Sequence, residues 1–201
     1  MFATVGPDGA LPDPVAHPGR RRLSERQSEA MANLITAAGI EAEACSYGEI
    51  SVRTIAKRAG VAPATAYTYF SSKDHLLAEV LWRRMQASPQ VVDLRQPLAD
   101  RMASTVRTMG FGTSGSAGLA TCTTALLGDG PDVKHVRARI GREIAHRLQA
   151  ALGPSGDPAA LRVLQVTYTG AILSAGLGHL DFADLPGLVA EAADLLAAGV
   201  P

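Results

Sequence analysis

Apolar residues recur at helical spacing along almost the whole chain, and this pattern predicts an all-α protein. The stripe formed by Met31, Leu34, Ile35, Ala38 and Ala42 predicts a first helix that ends at about residue 44. Later stripes predict helices over residues 72–87, 98–109, 119–127, 131–148, 158–179 and 185–196. We therefore expect an architecture of amphipathic helices packed on one another.

Two short helical patterns meet at Gly60, and they predict a helix-turn-helix. Ser51 can cap the first helix through its hydroxyl, and Gly60 suits the left-handed residue that ends it. Pro63 fits the first position of the second helix, where it loses no hydrogen bond. Ala66 and Phe70 lie four residues apart and are expected to face inward. From the pattern alone, a plain helical hairpin is the alternative.

The outward side of the second short helix is predicted to carry small residues, hydroxyls and two tyrosines. Such a surface suits a DNA major groove, which is about 12 Å wide. Arg53 and Lys73 stand at the starts of neighbouring helices, from which phosphates can be reached. Ser71 and Ser72 are expected to end the second short helix and to cap the next one, for which Ser71 and Asp74 have capping-box spacing. The residues expected to face outward are Ala64, Thr65, Tyr67, Thr68 and Tyr69.

Residues 24 to 85 resemble the N-terminal signature of the TetR family of transcriptional regulators. The matching residues are Gly60, Val61, Thr65, Tyr67, Phe70, Ser72, Lys73, Leu76 and Leu77. This resemblance implies three helices for DNA binding, a larger helical ligand domain and a homodimer. The DNA contacts that it implies are Ser51, Arg53, Pro63, Ala64, Thr65, Tyr67, Thr68, Tyr69 and Lys73.

One stretch departs from the family pattern. Residues 62–66 are alanines, a proline and a threonine, where a polar residue, a glycine and a larger aliphatic residue are more usual. We expect base reading by the start of this helix to be sparse, which gives more weight to Thr65, Thr68 and the two tyrosines.

Composition and pattern divide the chain into four parts. Residues 1–22 are rich in proline and glycine, end in three arginines, and are expected to form a disordered arm. Those arginines are either solvated or lie along DNA. Residues 23–70 are expected to form the helix-turn-helix DNA-binding domain, and residues 71–87 a linking helix. Residues 88–201 are expected to form a helical ligand-binding and dimerisation domain.

The last two predicted helices are the expected dimer surface, because two long apolar helices from each protomer can build a four-helix bundle. Gly170, Ser174 and Gly178 recur every four residues and would let another helix approach closely. The rival interpretation is that both helices belong to an ordinary core within one chain.

Charge and cysteine content narrow the class of protein. The 19 basic residues equal the 19 acidic ones, but basic residues outnumber acidic ones by three between residues 20 and 84. This modest excess agrees with DNA as the partner of the N-terminal part. Two cysteines are too few for a disulfide framework. Without a signal peptide or a membrane span in the pattern, we expect a cytoplasmic protein.

The expected partners are double-stranded operator DNA, a second copy of the chain and a small-molecule effector. The function predicted is a ligand-responsive regulator, most simply a repressor that releases its operator when a largely apolar molecule binds. The alternative is a helical small-molecule or protein-binding module without specific DNA binding. Candidates for the effector site combine apolar surface with a few polar groups: Met102, Thr105, Met109, Phe111, Cys122, Leu126 and Tyr168.

No enzyme motif is present, and we predict neither catalytic residues, cofactor nor metal. Residues 110–115 match a dinucleotide-binding fingerprint in letters, but no predicted strand precedes them. His135 and His146 lie eleven residues apart, too far for one metal ion. The polar residues expected to lie outside the buried face of the 131–148 helix are His135, Arg139, Arg142, His146 and Arg147.

Overall fold

The computed structural model describes residues 25–111 and 116–199, and both ranges are helical without a strand. This confirms the predicted all-α class. The N-terminal helices are α1 (Glu25–Ala44), α2 (Val52–Ala59), α3 (Pro63–Tyr69) and α4 (Lys73–Ala87). The later ones are α5 (Leu98–Val106), α6 (Ser116–Ala125), α7 (Pro131–Leu152), α8 (Pro158–Gly176) and α9 (Leu185–Ala197). A π-helical segment, Arg107–Phe111, continues α5, and a short 3₁₀ helix, Phe182–Asp184, precedes α9.

Helices α1 to α3 form the N-terminal unit, and local sequence explains where α2 and α3 begin and end. The Ser51 hydroxyl accepts the Thr54 N–H at 3.1 Å, and the Thr54 hydroxyl accepts the Ser51 N–H at 3.0 Å, so α2 has a reciprocal capping box. Gly60 ends α2 with φ of 68°, a left-handed conformation that glycine adopts without strain. Pro63 begins α3. The predicted helix-turn-helix is therefore confirmed.

The start of α4 agrees with the prediction in part. Of the two serines expected to cap it, Ser72 is the N-cap, and its hydroxyl accepts the N–H of His75 at 3.0 Å. The predicted capping box between Ser71 and Asp74 is wrong, because both side chains have partners distant in sequence. The predicted apolar face of α4 is fully confirmed as buried: Leu76, Leu77, Val80, Leu81 and Met85.

The C-terminal unit is a bundle in which α5 packs against α9, and α8 packs against α7 and α9. Helix α8 ends at Gly176, three residues before the predicted end. The reason is Gly178, whose φ of 79° is left-handed and stops the helix. Helix α6 ends at Ala125, two residues before its predicted end.

The two units share one continuous hydrophobic core that runs from α1 to α9. Helices α1 and α4 pack on α6, and α4 also packs on α7. The structure corrects one prediction at this junction: Arg147 of α7 is buried rather than outside the apolar face. Its guanidinium donates to the carbonyls of Met85 and Thr108, at 2.8 and 3.2 Å. It thereby joins the end of α4 to the π-helical segment.

Candidate DNA-binding surface

The face of α3 that is turned to solvent carries most of the predicted reading residues. Tyr67 is 52% exposed, and Pro63, Ala64 and Thr68 are exposed beside it. The Thr68 hydroxyl donates to the Ala64 carbonyl at 3.1 Å, so part of its hydrogen-bonding capacity is used within the helix. Tyr67 is therefore the most prominent side chain on this face.

Two residues predicted to face outward are only partly accessible. Thr65 and Tyr69 are half-buried, and Tyr69 packs against the core. The opposite side of α3 is fixed by Ala66 and Phe70, which are buried as predicted. Because a helix of seven residues has little stability of its own, these two anchors determine how α3 presents Tyr67.

Helix α2 contributes cations next to α3. Arg53 and Lys57 are exposed and lie four residues apart, which places them on one side of the helix. Arg58 differs from them, because its guanidinium pairs with the nearly buried carboxylate of Glu41. Ser51, the cap of α2, is half-buried. Arg53 and Lys57 thus expose positive charge to solvent, whereas Arg58 pairs with Glu41 and Ser51 caps α2.

Lys73, a predicted phosphate contact, is held by Tyr47. Its ammonium donates to the Tyr47 carbonyl at 2.8 Å and lies 3.9 Å above the centre of the tyrosine ring. The Tyr47 hydroxyl in turn donates to Asp74 at 2.5 Å. Burial raises the pKa of Tyr47 to about 12, and the hydrogen bond and charge of Asp74 act in the same direction. The phenol therefore stays a donor at neutral pH.

A second set of contacts links the end of α3 to α7. The Ser71 hydroxyl donates to Asp132 at 2.6 Å, although 61 residues separate the two. His75 packs edge-on against the ring of Phe70, and its Nδ1 lies 3.9 Å from the Asp132 carboxylate. Burial lowers the pKa of His75, while the charge of Asp132 opposes that shift.

Further along α4, Trp82 packs where this helix meets the C-terminal unit. The guanidinium of Arg139 lies 4.4 Å from its ring centre and donates to Glu79 at 2.8 Å. On the other side of α4, Arg84 donates to Glu43 of α1 at 2.9 Å. Helix α4 is thus tied by side-chain contacts to both α7 and α1.

The predicted effector residues do not share one environment. Leu126 is half-buried and lines a groove, whereas the side chain of Phe111 lies outside the described part of the structure. Burial raises the pKa of Cys122 to about 12, so its thiol is a poor nucleophile at neutral pH. The other members, Met102, Thr105, Met109 and Tyr168, are almost completely buried, as is Cys122.

Sequence reasoning missed several residues that organise this surface. Glu41 is buried although charged, and it falls on the apolar stripe three residues after Ala38 and seven after Leu34. Its helical register could therefore have indicated burial beside a cation. The bond between Ser71 and Asp132 had no such signal, because it depends on how α7 meets the end of α3.

Within residues 25–111 and 116–199, no helix has the length and apolar character needed to cross a membrane. The same ranges contain no cluster of three or more histidine, cysteine or acidic side chains suited to a metal ion.

Comparisons with known proteins agree with this geometry. Residues 33–80 match the family model described as bacterial regulatory proteins, tetR family. An uncharacterized HTH-type transcriptional regulator of Mycobacterium tuberculosis is 37% identical over 179 residues, which cover 88% of this chain and 84% of that one. A counterpart in Mycobacterium bovis has the same identity and coverage.

Solved structures show the same fold. A TetR transcriptional regulator from Rhodococcus sp. RHA1 superposes with a TM-score of 0.70 at 24% identity, covering 89% of this chain and 100% of that one. A SmeT–triclosan complex superposes with a TM-score of 0.52 at 17% identity, over 86% and 92% of the two chains.

Fold, surface and relatives together define the class: a transcriptional regulator with an N-terminal helix-turn-helix DNA-binding domain. Within that class, the chain belongs to the TetR family.

Proposed function

We propose that this regulator is a ligand-responsive repressor that binds operator DNA as a homodimer and releases it when a small molecule occupies the C-terminal bundle. The observation that carries the proposal is α3, a short helix anchored on one side by the core and presenting Tyr67 to solvent on the other. The DNA contacts proposed are Ser51, Arg53, Pro63, Ala64, Thr65, Tyr67, Thr68, Tyr69 and Lys73.

An apolar stripe on α8 supports the proposed dimer. The stripe consists of exposed residues, 37 to 73% accessible, whose spacing puts them on one side of the helix: Val163, Val166 and Leu173 of α8, and Leu177 directly after its end. Leu195 of α9 is 70% exposed as well. Large apolar side chains grouped on a surface mark interaction sites. A second copy would cover the same stripe on both protomers, as twofold symmetry requires.

The contacts of α6 and α7 with the N-terminal unit support ligand control. A ligand that prefers one arrangement of the C-terminal helices would also shift α4, which packs on both α6 and α7. The same coupling requires DNA to weaken ligand binding. The fold accommodates a small molecule in the SmeT–triclosan complex, and a largely apolar effector is proposed here.

We propose the same domain boundaries and domain roles that the sequence predicts. Residues 23–70 would bind DNA, residues 71–87 would link, and residues 88–201 would bind the effector and pair protomers. The arm at residues 1–22 lies outside the described residues. The cytoplasm is the proposed compartment, since operator DNA is found there.

A gel-shift experiment tests the proposal. DNA fragments selected by the purified protein provide the operator, and Tyr67→Ala is expected to abolish its shift while leaving the dimer intact. Arg53→Ala should also lower the salt dependence of binding, by about two in the slope of log K against log salt if each protomer loses one phosphate contact. Arg142→Ala is the matched control, because Arg142 is exposed on α7.

The second candidate function is a helical binding module without specific DNA recognition. It is favoured by the ammonium of Lys73, which is already bound by Tyr47, and by the alanines around the start of α3. A monomer at micromolar concentration that binds selected and random duplexes equally would support this alternative and refute the repressor.

A further inference from the structure

A groove of about 280 Å³ opens between α6, α7 and α8, apart from the proposed DNA surface. Its walls come from three helices of the C-terminal unit. Besides two threonines, Arg137 and Gly141, the lining is aliphatic: Leu126, Leu127, Ile140, Ile144, Ile172 and Leu173. Two of these side chains, Leu127 and Leu173, are themselves exposed. An apolar surface of this kind favours an apolar occupant.

One polar group in the wall has no partner. Thr123 is 2% exposed, and its hydroxyl makes no hydrogen bond to any residue within the described ranges. Its neighbour Thr124 differs, since that hydroxyl donates to the Ala120 carbonyl at 2.9 Å. An unpaired buried hydroxyl is unfavourable, because the water that it loses is not replaced. The hydroxyl is closed to solvent, so a ligand group would bond to it only after the Thr123 side chain rotates toward the groove, and that bond would remove this penalty.

The groove also has an open position in its wall. Gly141 of α7 lines it, and a Cβ built at Gly141 would meet no atom within 4 Å. At Gly141 the wall of the groove is therefore backbone alone, and a larger side chain at this position could fill part of the groove.

The size of the groove fits a small molecule. The groove offers about 280 Å³, near the lower end of small-molecule sites. Leu173 belongs both to the groove and to the exposed stripe of α8, so a partner protomer would border the groove.

We propose that this groove is the effector site and that it binds a small neutral molecule with an apolar body and one hydrogen-bonding group, which pairs with the Thr123 hydroxyl. This inference rests on the proposed function and deepens it by naming the site and the ligand class. Arg137 stands at the edge, where its guanidinium donates to the Leu126 and Gly128 carbonyls at 2.6 and 3.3 Å.

Direct titration of the full-length protein without DNA tests the site. The probe is 4-pentylphenol, and pentylbenzene is the matched compound that lacks the hydroxyl. Thr123→Val keeps the shape and removes the hydroxyl, so we expect it to weaken 4-pentylphenol binding roughly 2- to 10-fold and leave pentylbenzene unchanged. Thr124→Val, the matched control, should change neither affinity.

Filling the groove provides a second test that does not depend on the hydroxyl. Gly141→Leu should weaken both probes at least tenfold, whereas Ala138→Leu, which adds the same side chain at an exposed position of α7, should not. Unchanged binding to Gly141→Leu, or no saturable binding of either probe up to its solubility limit, would overturn the proposal. It would equally be overturned if Gly141→Leu changed dimer affinity instead, since the groove would then hold a second copy.

The test of ligand binding in the groove can fail or succeed independently of the test of ligand-controlled repression. If the probe binds the groove but never releases operator DNA, the site stands and ligand-controlled repression fails. If other molecules release the operator while the groove stays empty, repression stands and the groove assignment fails.

Discussion

Replacing Arg147 is the sharpest test of how the two units are held together. Its guanidinium makes three contacts: Nε with Glu143 at 2.8 Å, Nη1 with the Thr108 carbonyl at 3.2 Å, and Nη2 with the Met85 carbonyl at 2.8 Å. The side chain is only 5% exposed, so water cannot replace these partners without a rearrangement. Arg147 therefore bridges α7, the end of α4 and the π-helical segment.

The expected loss follows from these contacts. Arg147→Ala leaves two carbonyls and the Glu143 carboxylate without their donor, and hydrogen bonds to a charged group contribute ~1.5–3 kcal/mol each. The contributions overlap, and breaking a buried ion pair by removing one partner typically costs ~3–5 kcal/mol. Because Glu143 is 24% exposed and can be partly rehydrated, we expect a loss of about 2–4 kcal/mol.

Urea unfolding at fixed protein concentration measures this loss, since a dimer would make stability depend on concentration. Arg147→Lys should fall between the parent and Arg147→Ala, because lysine keeps the charge but cannot form the planar fork. The control is Arg142→Ala on the same helix, which removes an exposed arginine and should stay within ~0.5 kcal/mol of the parent.

Hydrogen exchange supplies an independent readout. If Arg147 fixes the end of α4, the last amides of that helix should lose more protection in Arg147→Ala than those near its start. A variant that stays within ~0.5 kcal/mol of the parent, with uniform protection along α4, would refute the reasoning.

Two further predictions concern the helix junctions. Burial lowers the pKa of His75, so this histidine is protonated at a higher pH in the unfolded chain than in the folded protein. The free energy of unfolding should therefore fall as pH drops below about 6.5. His75→Gln should flatten this part of a stability–pH curve measured by denaturant, and an unchanged slope would contradict the assignment. At Gly118 a Cβ would overlap the carboxylate of Glu43, whereas at Gly141 it meets open space. Calorimetry should show that Gly141→Ala gains up to ~1 kcal/mol and that Gly118→Ala gains less; equal gains would mean that this carboxylate lies elsewhere.

Local sequence was sufficient to predict the ends of α2 and the start of α3, because a single stretch of chain contains both interacting partners there. Ser51 caps α2, Gly60 ends it and Pro63 starts α3 because each residue favours one backbone conformation or one neighbouring hydrogen bond. The apolar stripes identified the buried faces of α1, α4 and α7 for the same reason, since helical spacing alone puts those residues on one side. The class of fold and the helix-turn-helix thus followed from the sequence.

Tertiary structure decided everything that depends on partners distant along the chain. Arg147 is charged and therefore looks like a surface residue. It is buried because its guanidinium donates to carbonyls of α4 and of the π-helical segment. Lys73 lies at a helix start from which phosphates can be reached, and only the fold shows that Tyr47 also binds its ammonium. The groove beside Thr123 exists only because α6, α7 and α8 converge. A pattern along one helix shows which face is apolar, but the packing of several helices determines which polar groups become buried and which partners they find.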